Sequence, residues 1–561
     1  MPAPPYTGIE AGYLGLRGRV TPFGTGLIRP SQGADLRELL ETAGQREAQV
    51  HERCRCRGRP PILARHEQAV VFHHPHGGPI PLYSLTGIHM DRRTLPEIIQ
   101  GGMGIAVSDW RLANAVSRLG QLGVVSGTAI DSVLVRRLQD GDPGGDMRRA
   151  MAAFPMPGVA AQVLAAFFRP EGRAPGTPYE LLPMYRQAVS RTREALTIMA
   201  AFVEVHLARD GHDGPVGINL LTKIQLPNLA LLYGAMLAGV DFVLMGAGIP
   251  REIPGAIDHL REHQPASLRF ELTGASPEAP ELLQFDPRRH WEDPPPALTR
   301  PRFLPIVASN SLATMLARKG GGKIDGFVVE GPTAGGHNAP PRGETTFNAR
   351  GEPIYGPRDE VDLAKLHELG LPFWLAGGMG SAASLRAAKA AGAAGIQVGT
   401  LFAFCDESGL DPALRASVLA HAARGEVDVF TDAQASPTGY PFKVVDWGGN
   451  RAAAGERKRV CDLGYLRIAY QTPEGGIGYR CASEPINTYL QKGGMAEEAA
   501  GRQCLCNALM ANIGLAQVRD EGRLEPPLLT SGDDLRSITA FLAGRTHYSA
   551  ADVIDALLAD G

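Results

Sequence analysis

One histidine stands in a glycine-rich segment whose residue types suit acid–base chemistry. His337 ends the run GPTAGGH, residues 331–337, which directly follows a short apolar stretch. The unperturbed pKa of an imidazole lies close to neutral pH, so a histidine held in such a loop can act as a general base. Gly335 and Gly336 let the backbone approach a ligand closely. The segment therefore predicts a catalytic base at His337.

Glycines also cluster where other apolar stretches end. The clusters are Gly101-Gly102-Met103-Gly104, Gly246-Ala247-Gly248, Gly335-Gly336 and Gly377-Gly378-Met379-Gly380, and Gly399-Thr400 follows the last stretch. Barrels of parallel strands bind ligands at this end of their strands. Backbone N–H groups and a helix beginning after Ser381 can hold a phosphate there. A phosphate with a broad flat ring suggests flavin mononucleotide (FMN), and no GxGxxG motif indicates a Rossmann domain.

Four of the seven cysteines lie in the last quarter of the chain. Cys461, Cys481, Cys504 and Cys506 have the spacing C-x19-C-x22-C-x-C. Four thiolates can bind zinc or an iron–sulfur cluster, and the basic run 457–459 favours their deprotonation. The spacing differs from that of paired CxxC sites, so four buried thiols without a metal are the alternative interpretation.

Eight apolar runs alternate with segments of helical spacing and supply the elements that position these residues. The runs are residues 98–100, 122–126, 216–221, 242–245, 303–308, 327–330, 373–376 and 396–398. Nearly continuous apolar runs are typical of parallel strands buried on both faces. The pattern predicts an α/β fold, a (β/α)8 TIM barrel. An open doubly wound sheet is the structural alternative.

Three segments fall outside this alternation. Residues 1–85 are predicted to be an N-terminal extension, and residues 86–425 the FMN-binding barrel. Residues 266–301 are an acidic, proline-rich insertion of a kind that often covers an active face. Residues 426–561 are predicted to be an α-rich, cysteine-containing region that completes the substrate pocket.

Composition and charge exclude several classes of protein. With 44% hydrophobic and 20% charged residues the chain can bury a large core, which excludes wholesale disorder. The 56 basic and 59 acidic residues argue against a nucleic-acid partner. The N-terminal residues lack the pattern of a signal peptide, and no long apolar window predicts a membrane span. We expect a cytoplasmic protein whose partners are a small-molecule substrate and dioxygen, either as a homodimer or within a synthase complex.

Six short segments, taken in order, resemble a known family. They are PEIIQGGMGIAVS (96–108), LGVVSG (122–127), GINL (217–220), GPTAGGH (331–337), AGGM (376–379) and QVGT (397–400). Together they resemble the nitronate monooxygenases, formerly called 2-nitropropane dioxygenases, over residues 85–445. That family is similar to the flavin enoyl-reductases of fatty-acid and polyunsaturated fatty-acid synthesis.

The resemblance implies roles for individual residues. The segments around Gly378 and Gln397 would grip the phosphate of FMN, and the GGMG segment and Asn219 would lie near its ring. His337 would be the catalytic base toward a nitronate or nitroalkane substrate, and dioxygen would complete conversion to a carbonyl compound and nitrite. Ser436, Thr438 and Tyr440 fall in a segment that the family places near the substrate, with Tyr440 replacing the usual arginine.

Two other functions remain open at this stage. The extension, the insertion and the tail beyond residue 445 are shared with larger flavin proteins of polyunsaturated fatty-acid and polyketide synthases. This favours, as an alternative, an enoyl reductase that uses NAD(P)H. A third hypothesis is a non-catalytic flavin- or metal-binding component of a synthase complex.

Overall fold

The computed structural model describes residues 95–276, 278–449 and 457–559. The predicted N-terminal extension, residues 1–85, lies outside the described residues.

Eight parallel strands close into a barrel, so the predicted fold class is confirmed. Each strand pairs with its sequence neighbours, and the last pairs with the first through Ile99 and Gln397. The strands are β1 (Ile98–Gln100), β2 (Leu122–Ser126), β3 (Val216–Leu221), β4 (Phe242–Gly246), β5 (Arg302–Val307), β6 (Phe327–Glu330), β7 (Phe373–Ala376) and β8 (Gly395–Val398).

Successive side chains of each strand point into the barrel and out toward the helices in turn. Both environments are apolar, which explains why the strands are continuous apolar runs in the sequence. Ile99 of β1 packs inside the barrel with Leu244 and Trp374, whereas its neighbour Ile98 belongs to the outer core beneath the helices. The Trp374 indole N–H donates to the carbonyl oxygen of Pro96 at 2.8 Å. Both faces of the sheet are therefore buried, and both need apolar residues.

Helices surround the barrel and follow its strands. A long connection between β2 and β3 forms four helices, Ile130–Gln139, Asp146–Ala152, Pro157–Phe167 and Arg191–Ala208. The others up to residue 423 are Trp110–Arg118, Asn228–Leu237, Ile253–Arg261, Asn310–Lys319, Leu363–His367, Ala382–Ala390, Thr400–Ala403 and Pro412–Ala423. Ser381 caps the helix Ala382–Ala390 by accepting a hydrogen bond from the Ser384 N–H. No helix of the described segments combines the length and apolar character needed to cross a membrane.

The 266–301 insertion and the C-terminal region meet in one small sheet. Within the insertion, Ala266–Arg269 and Leu282–Phe285 form an antiparallel pair. Leu272–Thr273 pairs with Ile468–Gln471, which also pairs with Ile477–Arg480. The insertion is thus joined by backbone hydrogen bonds to the chain that follows the barrel.

The C-terminal region mixes short helices with antiparallel strands. Val427–Asp432 pairs with Phe442–Trp447 next to the barrel. The helices are Ile486–Gln491, Ala496–Ala499, Leu505–Ala511, Ile538–Leu542 and Ala550–Leu558. The last of these packs against Trp110–Arg118 and Ala382–Ala390, so the end of the chain returns to the outside of the barrel.

Candidate active site

One cavity of about 220 Å³ opens at the carboxyl ends of the barrel strands. The structure brings His337 and every residue predicted to bind FMN to its wall. The predicted cofactor residues on this wall are Gly101, Gly102, Met103, Gly104, Asn219, Gly335, Gly336, Gly377, Gly378, Gln397, Gly399 and Thr400. Their role in binding stays a prediction, but their spacing along the chain gives one contiguous surface.

The C-terminal region forms the opposite wall of the cavity. Leu505 and Leu509 face it from the helix Leu505–Ala511, and Ser531 and Gly532 face it from the loop that follows. A Cβ at Gly335 would lie 2.7 Å from the Ser531 carbonyl carbon, so that loop packs directly on the histidine segment. This wall was not predicted residue by residue, because it comes from chain distant in sequence.

Gly102 and Asn219 lie in direct contact at one end of the cavity. A Cβ at Gly102 would lie 2.3 Å from the Asn219 Cβ, so no side chain fits there. The Asn219 amide donates to the Gly102 carbonyl oxygen at 3.2 Å. The oxygen of the same amide, Asn219 Oδ1, is buried and has no hydrogen-bond partner among the described residues. The same holds for Gln397 Oε1. Unpartnered acceptors on the wall suit a planar ring whose edge carries an N–H donor, as a flavin does.

The other end of the cavity fits a phosphate. Gly377 and Gly378 have φ values of +92° and +67°, which favour glycine. Within the described residues, the N–H groups of Gly378 and Met379 donate no hydrogen bond to another backbone group. The Thr400 hydroxyl lies beside them on the wall, and the helix Ala382–Ala390 begins just beyond. Backbone amides, a hydroxyl and a helix dipole together suit an anion.

The phosphate end has two further electrostatic features. No lysine or arginine of the described residues lines this cavity, so backbone and hydroxyl groups would carry the binding. Asp534 Oδ1 accepts from the Thr400 hydroxyl at 3.2 Å. Burial raises the pKa of the Asp534 carboxyl, which reduces the negative charge that a phosphate would meet.

His337 is held by the chain that follows the barrel. Its Nε2 forms a 2.6 Å hydrogen bond with the Ser436 hydroxyl, and its ring meets the edge of Phe442 at 4.8 Å. On either side, the N–H of Asn338 donates to Pro441 and that of Lys443 donates to Gly336. Burial and the positive charge of Lys223 lower the pKa of His337 to about 3. The imidazole is therefore neutral at pH 7 and able to accept a proton or a hydrogen bond.

The predicted substrate residues support His337 rather than line the cavity. Ser436 is fully buried and also bonds to the Thr438 hydroxyl at 2.8 Å. The Tyr440 ring lies 3.0 Å from the ammonium nitrogen of Lys223. Ser436 and Thr438 therefore position the base, while Tyr440 contacts a cation. Whether any of the three touches substrate stays a prediction.

Lys223 is a candidate site residue that the sequence analysis missed. It follows β3, and its ammonium group donates to the Thr438 carbonyl oxygen at 3.3 Å. Burial lowers the pKa of Lys223 to about 8, although nearby Glu271 acts in the opposite direction. Its position just after the GINL segment, at the ligand-binding end of a strand, was the available signal.

Glu330, the last residue of β6, is a second candidate site residue that was not predicted from the sequence. Its carboxyl group lines the cavity and makes no hydrogen bond or ion pair within the described segments. Burial raises the pKa of Glu330 to about 7. A carboxyl group with this pKa can donate or accept a proton near neutral pH. The signal in the sequence was a single acidic residue ending an apolar strand.

We expect Glu330→Gln to stabilise the protein at pH 8 but not at pH 5. The pKa of Glu330 is raised from 4.5 to about 7, so wild type loses stability as the pH rises through this interval. Glutamine does not titrate, and the variant should gain about 1–3 kcal/mol relative to wild type at pH 8. Tm at both pH values, with equal saturating FMN, measures this difference. Glu344→Gln, at an exposed carboxylate, is the control, and a pH-independent Tm difference for Glu330→Gln would contradict the prediction.

The structure does not support the predicted four-cysteine metal site. The described residues contain no group of three or more histidine, cysteine or acidic side chains placed to hold a metal ion. Cys461 and Cys481 are hydrogen-bonded to each other, which lowers the pKa of the Cys481 thiol to about 7. Cys504 accepts from the Asn507 amide at 3.4 Å, and Cys506 lines the cavity. The four thiols nevertheless act on one another electrostatically, so they lie in one region of the fold, and a metal role for them stays a prediction.

Solved structures with a similar arrangement share little sequence identity with the chain. FabK from Thermotoga maritima is 19% identical, with a TM-score of 0.40 over 82% of this chain and 91% of that chain. A nitroalkane oxidase from Streptomyces ansochromogenes is 15% identical, with a TM-score of 0.41 over 82% and 94%. The enoyl reductase domain of MlnA, from the macrolactin cluster of Bacillus amyloliquefaciens, is 11% identical, with a TM-score of 0.39 over 82% and 95%.

One family model matches part of the chain, whereas the search of curated sequences finds no match. No curated protein sequence matches the chain. Residues 302–434 match the model of the nitronate monooxygenase family. This stretch contains β5 to β8, His337 and the proposed phosphate end of the cavity. The match therefore confirms the predicted resemblance to the nitronate monooxygenase family and, with it, the prediction that the chain is a flavin-dependent oxidoreductase.

Proposed function

We propose that the protein is an FMN-dependent nitronate monooxygenase. It would convert nitronates or nitroalkanes, with dioxygen, into carbonyl compounds and nitrite. The observation that carries this proposal is the position of His337, whose imidazole lines a glycine-rich cavity and is oriented by the Ser436 hydroxyl. A proton next to a nitro group is already acidic, so one positioned base suffices to remove it.

The residues around the base have separable tasks. Ser436 fixes the orientation of the imidazole through Nε2. Lys223 places a positive charge near His337, which favours an anionic nitronate over a neutral molecule in the same place. Leu505 and Leu509 close the cavity with apolar surface and exclude water.

The lining of the cavity suits FMN: Asn219 and Gln397 would hold its ring, and the backbone near Gly378 would hold its phosphate. When bound, FMN accepts electrons from the substrate and passes them to dioxygen. The chain's own contribution would be to hold the ring within reach of His337 and to set the protonation of the groups around it.

Glu330 favours a second candidate function, NAD(P)H-dependent reduction of an enoyl thioester. Saturating the carbon–carbon double bond requires a proton at the carbon next to the carbonyl group. His337 is neutral with a low pKa, whereas the pKa of Glu330 is about 7. At neutral pH, Glu330 is thus a proton donor on the cavity wall for such a reaction.

Two assays on the same FMN-loaded protein separate these functions. The first measures nitrite released from an alkyl nitronate in air. The second measures anaerobic bleaching of the flavin by NADH or NADPH, followed by reoxidation with an enoyl thioester. Fast nitrite release with slow bleaching is the expected result. The reverse pattern would favour the reductase, and a protein that stays colourless with added FMN would contradict both functions.

A further inference from the structure

The helix Leu505–Ala511 begins next to the residues that hold the proposed base. Just before it, the Arg502 guanidinium donates to the carbonyl oxygens of Gln434 at 2.9 Å and Ser436 at 2.8 Å. Ser436 is the residue whose hydroxyl bonds to the imidazole of His337. The start of this helix is therefore fixed relative to the base.

The far end of the same helix is also held in place. The Asn512 side-chain amide donates to the carbonyl oxygen of Leu528, and the Asp411 N–H donates to that of Asn512, both at 2.9 Å. The neighbouring residues Leu529 and Leu410 line the main cavity. A wall that is fixed at both ends can select substrates by size, because its closely packed side chains cannot easily move aside.

One face of this helix is turned toward the main cavity. Leu505 and Leu509 are four residues apart, so they lie on the same face, and both line the cavity. Leu505 packs with Phe442 in one apolar cluster, and Leu509 is partly buried against that cluster. The Phe442 ring in turn meets the His337 ring at 4.8 Å. The two leucines are therefore within reach of a substrate held at His337.

The charged groups on the cavity wall favour a substrate without a second negative charge. Among the described residues, no lysine or arginine lines the cavity, whereas Glu330 and Asp534 do. Lys223 acts on His337, and hence on the reacting end of the substrate, but its ammonium group donates to the Thr438 carbonyl oxygen and does not line the cavity. A carboxylate elsewhere on the substrate would lack a cation and would meet two carboxyl groups, which is costly in a closed cavity.

We propose that the substrate carries an uncharged alkyl chain, and that Leu509, beside Leu505, sets the length of chain that the enzyme accepts. This inference rests on the proposed function and specifies which nitronates are used, those of unbranched nitroalkanes rather than carboxylated ones. The nitronate group lies at His337, and the chain extends along the two leucine side chains. Each methylene group that leaves water for this surface strengthens binding, until the chain reaches the end of the wall.

Nitrite release from a series of nitronates tests this proposal on the FMN-loaded full-length protein. The series runs from the nitronate of nitroethane to that of 1-nitrohexane, and the nitronate of 3-nitropropanoate is the carboxylated comparison. We expect kcat/KM to rise about threefold with each methylene group up to an optimum length. For the carboxylated nitronate, kcat/KM should be at least about tenfold lower than for the nitronate of 1-nitrobutane, which has a similar length.

Two variants of Leu509 and one control locate the effect at the helix. Leu509→Ala makes room, so the optimum should move to chains longer by at least about one methylene group. Leu509→Lys supplies a cation, so kcat/KM for the carboxylated nitronate, relative to the nitronate of 1-nitrobutane, should rise at least about tenfold. Leu490→Lys, at an exposed leucine of the helix Ile486–Gln491, is the matched control and should keep the wild-type optimum and ratio.

Three results would overturn the proposal. They are a kcat/KM that does not depend on chain length, turnover of the carboxylated nitronate by wild type that equals turnover of its alkyl counterpart, and an unchanged optimum in a folded Leu509→Ala protein. If Leu509→Lys fails to fold, Leu509→Ala and the wild-type series decide the outcome.

A binding measurement distinguishes failure of this proposal from failure of the proposed function. The change in flavin absorbance gives the affinities of the FMN-loaded protein for 1-hexanol and for pentanoate, which are similar in size and do not react. Tighter binding of 1-hexanol is expected, and equal or tighter binding of pentanoate would refute the apolar wall. Absence of nitrite from every nitronate would instead refute the monooxygenase.

Discussion

Replacing His337 with alanine is expected to lower kcat/KM for a neutral nitroalkane by about two to four orders of magnitude. The imidazole is the base on the cavity wall, and the Ser436 hydroxyl orients it through Nε2. Without it, the α-proton must leave to water. A nitronate has already lost this proton, so its turnover should fall much less. Initial rates of nitrite release from a nitroalkane and from its nitronate, compared in one buffer, measure the loss of kcat/KM for each substrate.

The companion variant is Ser436→Ala. It keeps the imidazole but removes the 2.6 Å hydrogen bond to Nε2, so the loss on the nitroalkane should be smaller than for His337→Ala. Both variants should retain the flavin spectrum, since neither side chain is among the groups proposed to hold the ring or the phosphate. Equal turnover of the nitroalkane by His337→Ala and wild type would remove His337 from the mechanism.

The barrel could be predicted from the sequence because its strands are buried on both faces. Phe373–Ala376, for example, places Trp374 inside the barrel and Phe373 beneath the helices, so each position must be apolar. A run of that kind is visible without knowing its neighbours. The glycines after each strand are visible for the same reason, since the constraint at Gly377 is a property of its own backbone.

Residues whose chemistry depends on distant neighbours could not be predicted. Lys223 is placed near His337 by its contacts with residues 438–440. The pKa of Glu330 is raised because residues 505–534 help to close the cavity that it lines. The four cysteines are a further example, because their spacing in the sequence does not decide whether they hold a metal ion. The fold brings the four thiols into one region, but within the described residues it forms no group of three placed to hold a metal ion.

Gly102→Val is expected to weaken FMN binding strongly while leaving the protein folded. Even a Cβ at this position would lie 2.3 Å from the Asn219 Cβ, closer than two carbon atoms that are not bonded to each other can approach. Asn219 would have to leave the wall, and its amide oxygen would no longer face the ring. Overpacking of this kind typically costs about 1–3 kcal/mol, which corresponds to about 5- to 150-fold weaker binding. Quenching of FMN fluorescence on titration of the apoprotein measures the affinity.

Gly158→Ala is the matched control, since a Cβ there meets nothing within 4 Å in the helix Pro157–Phe167. It should bind FMN as wild type does, and alanine should favour the helix slightly. The Tm of apo Gly102→Val distinguishes a local change at the cavity from general unfolding. Wild-type affinity for FMN in a folded Gly102→Val protein would mean that the ring does not lie against Asn219. The cofactor would then have to be placed elsewhere along the strand ends.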